Sequence, residues 1–116
     1  MARVIAFVPD LLFGSNVLGA LSAAGHDVSL VSDGDGLERS LEGAQVLVVD
    51  LTADVEDRLE LVAPVLRRPE LRTLAFFSHV EADVKAAAVA SGFDQVVPRS
   101  RMARAGADLV AGLLVG

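Results

Sequence analysis

The chain has 116 residues, is 53% hydrophobic and carries a net charge of −6 at neutral pH. That length fits one compact domain, residues 1–116, around one core. The acidic balance and the absence of Trp, Tyr and Cys argue against a nucleic-acid partner, a disulfide or a thiolate metal site. No apolar run approaches the roughly 18 residues of a membrane span. The N-terminal MARVIAFVPD is a poor export signal, because Pro9-Asp10 ends its short apolar run. A cytoplasmic location with no membrane contact is expected.

In chain order, Arg3–Val8 reads as the first strand, with Asp10 just past it. Ser15 is the expected cap of a helix from Asn16 to Ala24, ended by Gly25. Asp27–Val31 is the second strand. The run SDGDG at 32–36 resembles the start of a calcium loop but lacks the later ligands and terminal Glu, so a turn is expected, followed by a short helix Leu37–Leu41. Gln45–Asp50 is the third and most apolar strand. Asp54 is the expected cap of a helix reaching Arg68, stopped by Pro69. Val55, Leu59, Val62 and Leu66 share one face of it, while Glu56, Asp57 and Glu60 face water.

Arg72–Phe77 is the fourth strand, and Glu81–Ser91 an Ala-rich helix closed by Gly92. Its Ala86, Ala87, Ala88 and Ala90 make a smooth surface, suited to core packing and, less commonly, to a homodimer contact. Gln95–Val97 is the fifth strand. Ser100 is the expected cap of a last helix through Leu114. Gly106 and Gly112 inside it each cost ~1 kcal/mol relative to Ala, so this helix must depend on packing.

Five β–α units in alternation predict an α/β fold, a flavodoxin-like (βα)5 with a parallel five-stranded sheet of order 2-1-3-4-5 and helices on both faces. In such a sheet the crevice lies beyond the carboxyl ends of the strands. Asp50 ends strand three, and Asp10, Ser78 and Arg99 follow strands one, four and five. The four are expected to gather at one rim, with Asp50 at the edge of the core and not inside it. Neighbouring carboxylates repel, and a hard cation such as Mg²⁺ relieves that repulsion. A hydroxyl and a guanidinium across the site suit the oxygens of an anion. The set outlines a carboxylate phosphoacceptor, and the alternative is ordinary capping and solvation of strand-end acids.

His79 reads as a helix-entry residue or a pH-responsive group, and His26 as a helix-end residue, with no third ligand spaced for zinc. Arg99, Arg101 and Arg104 cluster at the start of the last helix, as a solvated face or a contact for an anion or acidic partner. The loop LLFGS after Asp10 carries no nucleotide-binding pattern.

Over nearly its whole length the chain resembles the receiver domains of two-component response regulators, the CheY-like superfamily. The resemblance rests on FVPD, VLVVDLTAD, FFSHV and ASGFDQVVPRS in that order. It implies phosphoryl transfer from a histidine kinase to Asp50, with Mg²⁺ held by Asp10, Asp50 and the backbone carbonyl of Thr52. Ser78 takes the family's hydroxyl position, and Arg99 the position of its Lys. The chain departs from the family at several of these points. One acid follows strand one where the family has two adjacent acids, which weakens the Mg²⁺ site. Pro98-Arg99 stands where Lys-Pro is usual, and Arg is a wide fork and not a point charge. His79 replaces a small residue, and Val96 replaces the aromatic switch of strand five.

Two readings follow. One is a stand-alone signalling module phosphorylated on Asp50 that acts on a partner protein, a histidine kinase or an effector. The other is a pseudo-receiver that binds a protein or small ligand without phosphotransfer. No nucleophile–base–orienter set beyond the acid pocket suggests a turnover enzyme.

Overall fold

The computed structural model describes residues 2–78 and 82–115. Strands β1 (Arg3–Phe7), β2 (Asp27–Val31), β3 (Val46–Asp50), β4 (Arg72–Phe77) and β5 (Gln95–Pro98) form one parallel sheet. Its order is β2-β1-β3-β4-β5, as the alternation of strand and helix predicts. Between the strands run α1 (Leu11–Ala23), α2 (Gly34–Ser40), α3 (Val55–Val62) and α4 (Ala82–Ser91), and α5 (Arg99–Val115) follows the last.

Helices on both sheet faces explain why VLVV lacks alternation: every one of these side chains is buried, alternately on opposite faces. Val46 and Val48 join Phe13, Val17 and Leu21 of α1 and Met102, Leu109 and Val110 of α5. Leu47 and Val49 join Leu37, Val62, Val84 and Ala88 from α2, α3 and α4. Gly14 lets α1 lie close to the sheet, since a Cβ there would stand 3.0 Å from the Val8 carbonyl oxygen.

Helix ends differ from the sequence expectation at several points: α2 starts at Gly34 and not Leu37, Asp54 precedes α3 without a side-chain cap bond, and α1, α3 and α5 differ as follows. Asp10, and not Ser15, caps α1: its Oδ1 accepts from the Phe13 N–H at 2.9 Å. Ser15 lies inside that helix and donates to the Leu11 carbonyl. The helix expected to reach Arg68 stops at Val62, because Pro64 has no N–H to continue it. A separate 3₁₀ turn, Val65–Arg67, follows, and Leu66 still packs on the core. Helix α5 begins at Arg99, so Ser100 lies within its first turn. It bends at Ala105, beside Gly106, which is packed against Met102.

The Asp33 side chain caps α2 through the Gly36 N–H, so SDGDG is a turn and helix start. His26 Nδ1 accepts from the Ala2 N–H, a structural role. Ala88 is buried in the core, while Ala86 and Ala90 are exposed. His79 lies outside the described residues.

Candidate functional site: two arginine–carboxylate pairs at the strand ends

The β3 chain leaves the sheet in steps that its residues dictate. The Leu51 N–H still bonds the Phe76 carbonyl of β4 at 2.8 Å. The chain then turns, and the Thr52 N–H and hydroxyl both donate to Asp50 Oδ1, at 2.8 and 2.5 Å. Carboxylates favour this local bonding to the backbone two residues on. Asp54 adopts a left-handed conformation with φ +49°, which Asp tolerates better than most residues, and α3 starts directly after it.

Asp50 is 2% exposed. It is therefore inside the core, which corrects the expectation of a carboxylate standing at the rim. Burial of a charge demands partners, and the second partner is one that sequence reasoning missed. Arg58, from the first turns of α3, donates through Nη1 to the Asp50 main-chain oxygen at 2.8 Å. The same Nη1 lies 3.6 Å from Asp50 Oδ2, and Nη2 lies 3.7 Å from Asp54 Oδ2. The guanidinium is itself largely enclosed, at 12% exposure. The i,i+4 spacing of Asp54 and Arg58 was a visible signal of their pairing. The link to Asp50 needed the turn to be known.

Asp10 makes a different pair. Besides capping α1 with Oδ1, it presents Oδ2 to Arg99 Nη2 at 3.7 Å. The Arg99 guanidinium carbon lies 4.4 Å from the centroid of the Phe13 ring, a cation–π contact. Phe13 in turn packs on Phe76, with ring centroids 5.0 Å apart. Both members of this pair are half-exposed. Of the residues expected to gather, Asp10 thus meets Arg99, and Asp50 meets Thr52. Among the described residues no hydrogen bond or ion pair joins one group to the other. Ser78 is half-buried at the end of β4, and Arg101 and Arg104 are exposed.

These partners bear directly on a divalent ion. Mg²⁺ requires near-octahedral oxygens at about 2.0–2.1 Å. Asp50 Oδ1 already accepts two hydrogen bonds, and Oδ2 faces a guanidinium; both Asp10 oxygens are likewise engaged. Among the described residues no three His, Cys, Asp or Glu side chains gather in one cluster. As arranged, a guanidinium lies beside one oxygen of each carboxylate, at 3.6 and 3.7 Å, and a divalent cation there would have to displace it.

Solved structures with the same architecture are numerous. A response regulator from Thermotoga maritima superposes with a TM-score of 0.84 at 15% identity, covering 100% of this chain and 99% of the other. The fold is that of a response-regulator receiver domain. The BeF3-activated DrrB receiver domain gives a TM-score of 0.85 at 16% identity, covering 100% and 99%. The signal receiver domain of NarL from Mycobacterium tuberculosis gives 0.80 at 21% identity, covering 99% and 97%. No protein-family model and no curated protein matches the chain. At these identities the likeness establishes the receiver fold, and the chemistry rests on this chain's own residues. No described helix is long and apolar enough to cross a membrane.

Proposed function

We propose that this chain is a receiver-type signalling module that works by binding a partner protein and does not depend on phosphotransfer. One observation carries the reading: the Asp50 carboxylate is 2% exposed, with Oδ1 bonded by Thr52 and Oδ2 faced by Arg58. A carboxylate nucleophile needs a free oxygen and an open approach for the incoming phosphorus. Asp50 Oδ1 is taken by Thr52, the residue is buried, and the cation 3.6 Å from Oδ2 is fixed to the chain. On this reading the module is no turnover enzyme, and its output is the protein surface that the fold presents.

A second reading keeps Asp50 as phosphoacceptor, with Ser78 and Arg99 assisting. It is favoured by Asp50 being the last residue of β3, at the carboxyl edge where the β1–α1 and β5–α5 connections also lie. It requires Arg58 to release Oδ2. Intact-mass measurement after incubation with acetyl phosphate and Mg²⁺ separates the two. The expected result is an unchanged mass. A gain of one phosphoryl group that vanishes in Asp50→Ala would establish the second reading.

A further inference from the structure

A groove of about 450 Å³ runs between α2 and the end of α3 with the 3₁₀ turn that follows it. None of Asp10, Asp50, Ser78 and Arg99 lines it. Leu37 and Val65 line it as buried residues, while Leu61 stands 38% exposed to it. The groove stays open because Pro64 ends α3, so the chain passes α2 as a short 3₁₀ turn and not as a continuing helix. Gly34 brings the two sides together at one end, since a Cβ there would stand 3.2 Å from Leu61 Cδ1. The volume is that of a ligand cleft. Helix α2 has 7 residues and is therefore about 10 Å long. That length accepts two large apolar side chains one helical turn apart, and no longer stripe.

Charge selects the occupant. Asp35 and Glu38 line the α2 side of the groove and are exposed, and among the described residues neither makes an ion pair. Arg68, the one basic residue lining it, lies 3.9 Å from Glu70, so its charge is already answered. Asp57, four residues before Leu61, stands on the same face of α3 and extends the acidic rim. An apolar trough edged by unanswered carboxylates complements a segment that is apolar on one face and cationic beside it. We propose that this groove docks an amphipathic helix of a partner protein, with two large apolar anchors one turn apart and Lys or Arg flanking them. The inference rests on the partner-binding reading and deepens it by naming the surface and the partner's chemistry. An acidic helix would meet like charge at Asp35 and Glu38, and a wholly apolar one would leave both carboxylates desolvated without a partner.

The probe is a synthetic helix of about 15 Ala, Gln and Lys residues with two Leu at i and i+4. It is titrated into the full chain, and amide shifts are followed by nuclear magnetic resonance. Saturable shifts confined to Gly34–Leu41 and Leu61–Arg68 are expected. The same peptide with Glu for Lys, or with Ser for both Leu, is expected not to bind. Asp35→Asn/Glu38→Gln, and separately Leu61→Ser, should each weaken binding about five- to tenfold. All three positions are exposed, so the variants keep the fold, and their unperturbed amide spectra verify it. A charge reversal elsewhere, Asp83→Lys on α4, should leave the affinity unchanged. No saturable binding overturns the proposal, as do shifts centred on another surface or variants that bind as wild type does. Equal binding of hexylamine would make the groove a small-ligand cleft and overturn it too. Phosphorylation of Asp50 would instead defeat the phosphotransfer-independent reading, and that outcome is read separately, by intact mass.

Discussion

Arg58 closes a ring with Asp50: its Nη1 lies 2.8 Å from the Asp50 main-chain oxygen and 3.6 Å from Oδ2, across eight residues of chain. The pair therefore fixes both the backbone and the side chain at the end of β3. Arg58→Ala leaves a carboxylate in the core with one oxygen unpartnered. Removing one member of a buried pair costs about 3–5 kcal/mol. Chemical denaturation should show a loss of that size. Asp50→Ala/Arg58→Ala should lose less than the sum of the single changes, since neither partner is then left alone. Additive losses would mean that the two side chains do not interact.

Asp10 and Arg99 form the weaker pair, and its two functions can be separated. Asn caps a helix as well as Asp does, whereas Ala loses about 0.5–2 kcal/mol. Asp10→Ala should therefore destabilise by about that much, through the lost bond to the Phe13 N–H. Asp10→Asn keeps the cap and loses only the exposed ion pair with Arg99, worth about 0–1 kcal/mol. Thermal melts of the two variants decide this. Equal losses would show that charge, and not capping, is what Asp10 supplies.

The strand order was legible in the alternation of five strands and helices, and the two-sided burial of the sheet in the unbroken apolar run VLVV. The site was half legible. Asp50 and Asp10 were found from their places at strand ends, and the pairing of Asp10 with Arg99 brings two of the expected residues together. The exposure of Asp50 was misjudged, because sequence position gives the strand end but not the direction in which the turn at Thr52 folds back. Arg58 was overlooked for the same reason. Its place on α3 does not mark it, and its contact with Asp50 shows only once the turn that brings α3 back to the end of β3 is known. Helix starts at Asp10 and Asp33 show a related lesson. The capping side chain is the one whose oxygen reaches the free N–H groups, and competing candidates such as Ser15 must be weighed by that reach.

Two glycines of α1 should respond oppositely to the same substitution. A Cβ at Gly14 would stand 3.0 Å from the Val8 carbonyl and 3.3 Å from both Leu30 methyl carbons. Backbone cannot yield as a side-chain tip can, so Gly14→Ala should shift α1 and destabilise by about 1–3 kcal/mol. Gly19 has no atom within 4 Å of its would-be Cβ. Gly19→Ala should stabilise by about 0.5–1 kcal/mol through helix propensity alone. Paired melts give the answer, and a stable Gly14→Ala would show that α1 is not held tightly against β1 and β2.

At the amino end of the sheet, Asp94 ties β5 to β4. Its Oδ2 accepts from the Thr73 N–H at 2.8 Å and lies 3.3 Å from the Thr73 hydroxyl oxygen, which accepts from the Asp94 N–H at 3.0 Å. Thr73 is buried, so a lost acceptor leaves a desolvated donor, at a cost of about 1–3 kcal/mol. Strand β5 is short and lies at the sheet edge, paired only with β4. The cost should therefore fall on β5 first, as a local opening and not a loosening of the whole sheet. Asp94→Ala should speed amide hydrogen exchange at Val96 and Val97 well before that at Val48 and Val49 in β3. Asp94→Asn, which keeps a side-chain oxygen, should restore most of the protection. Uniform acceleration across all five strands would show instead that β5 opens only with the whole domain, and that the Thr73–Asp94 clasp has no local role.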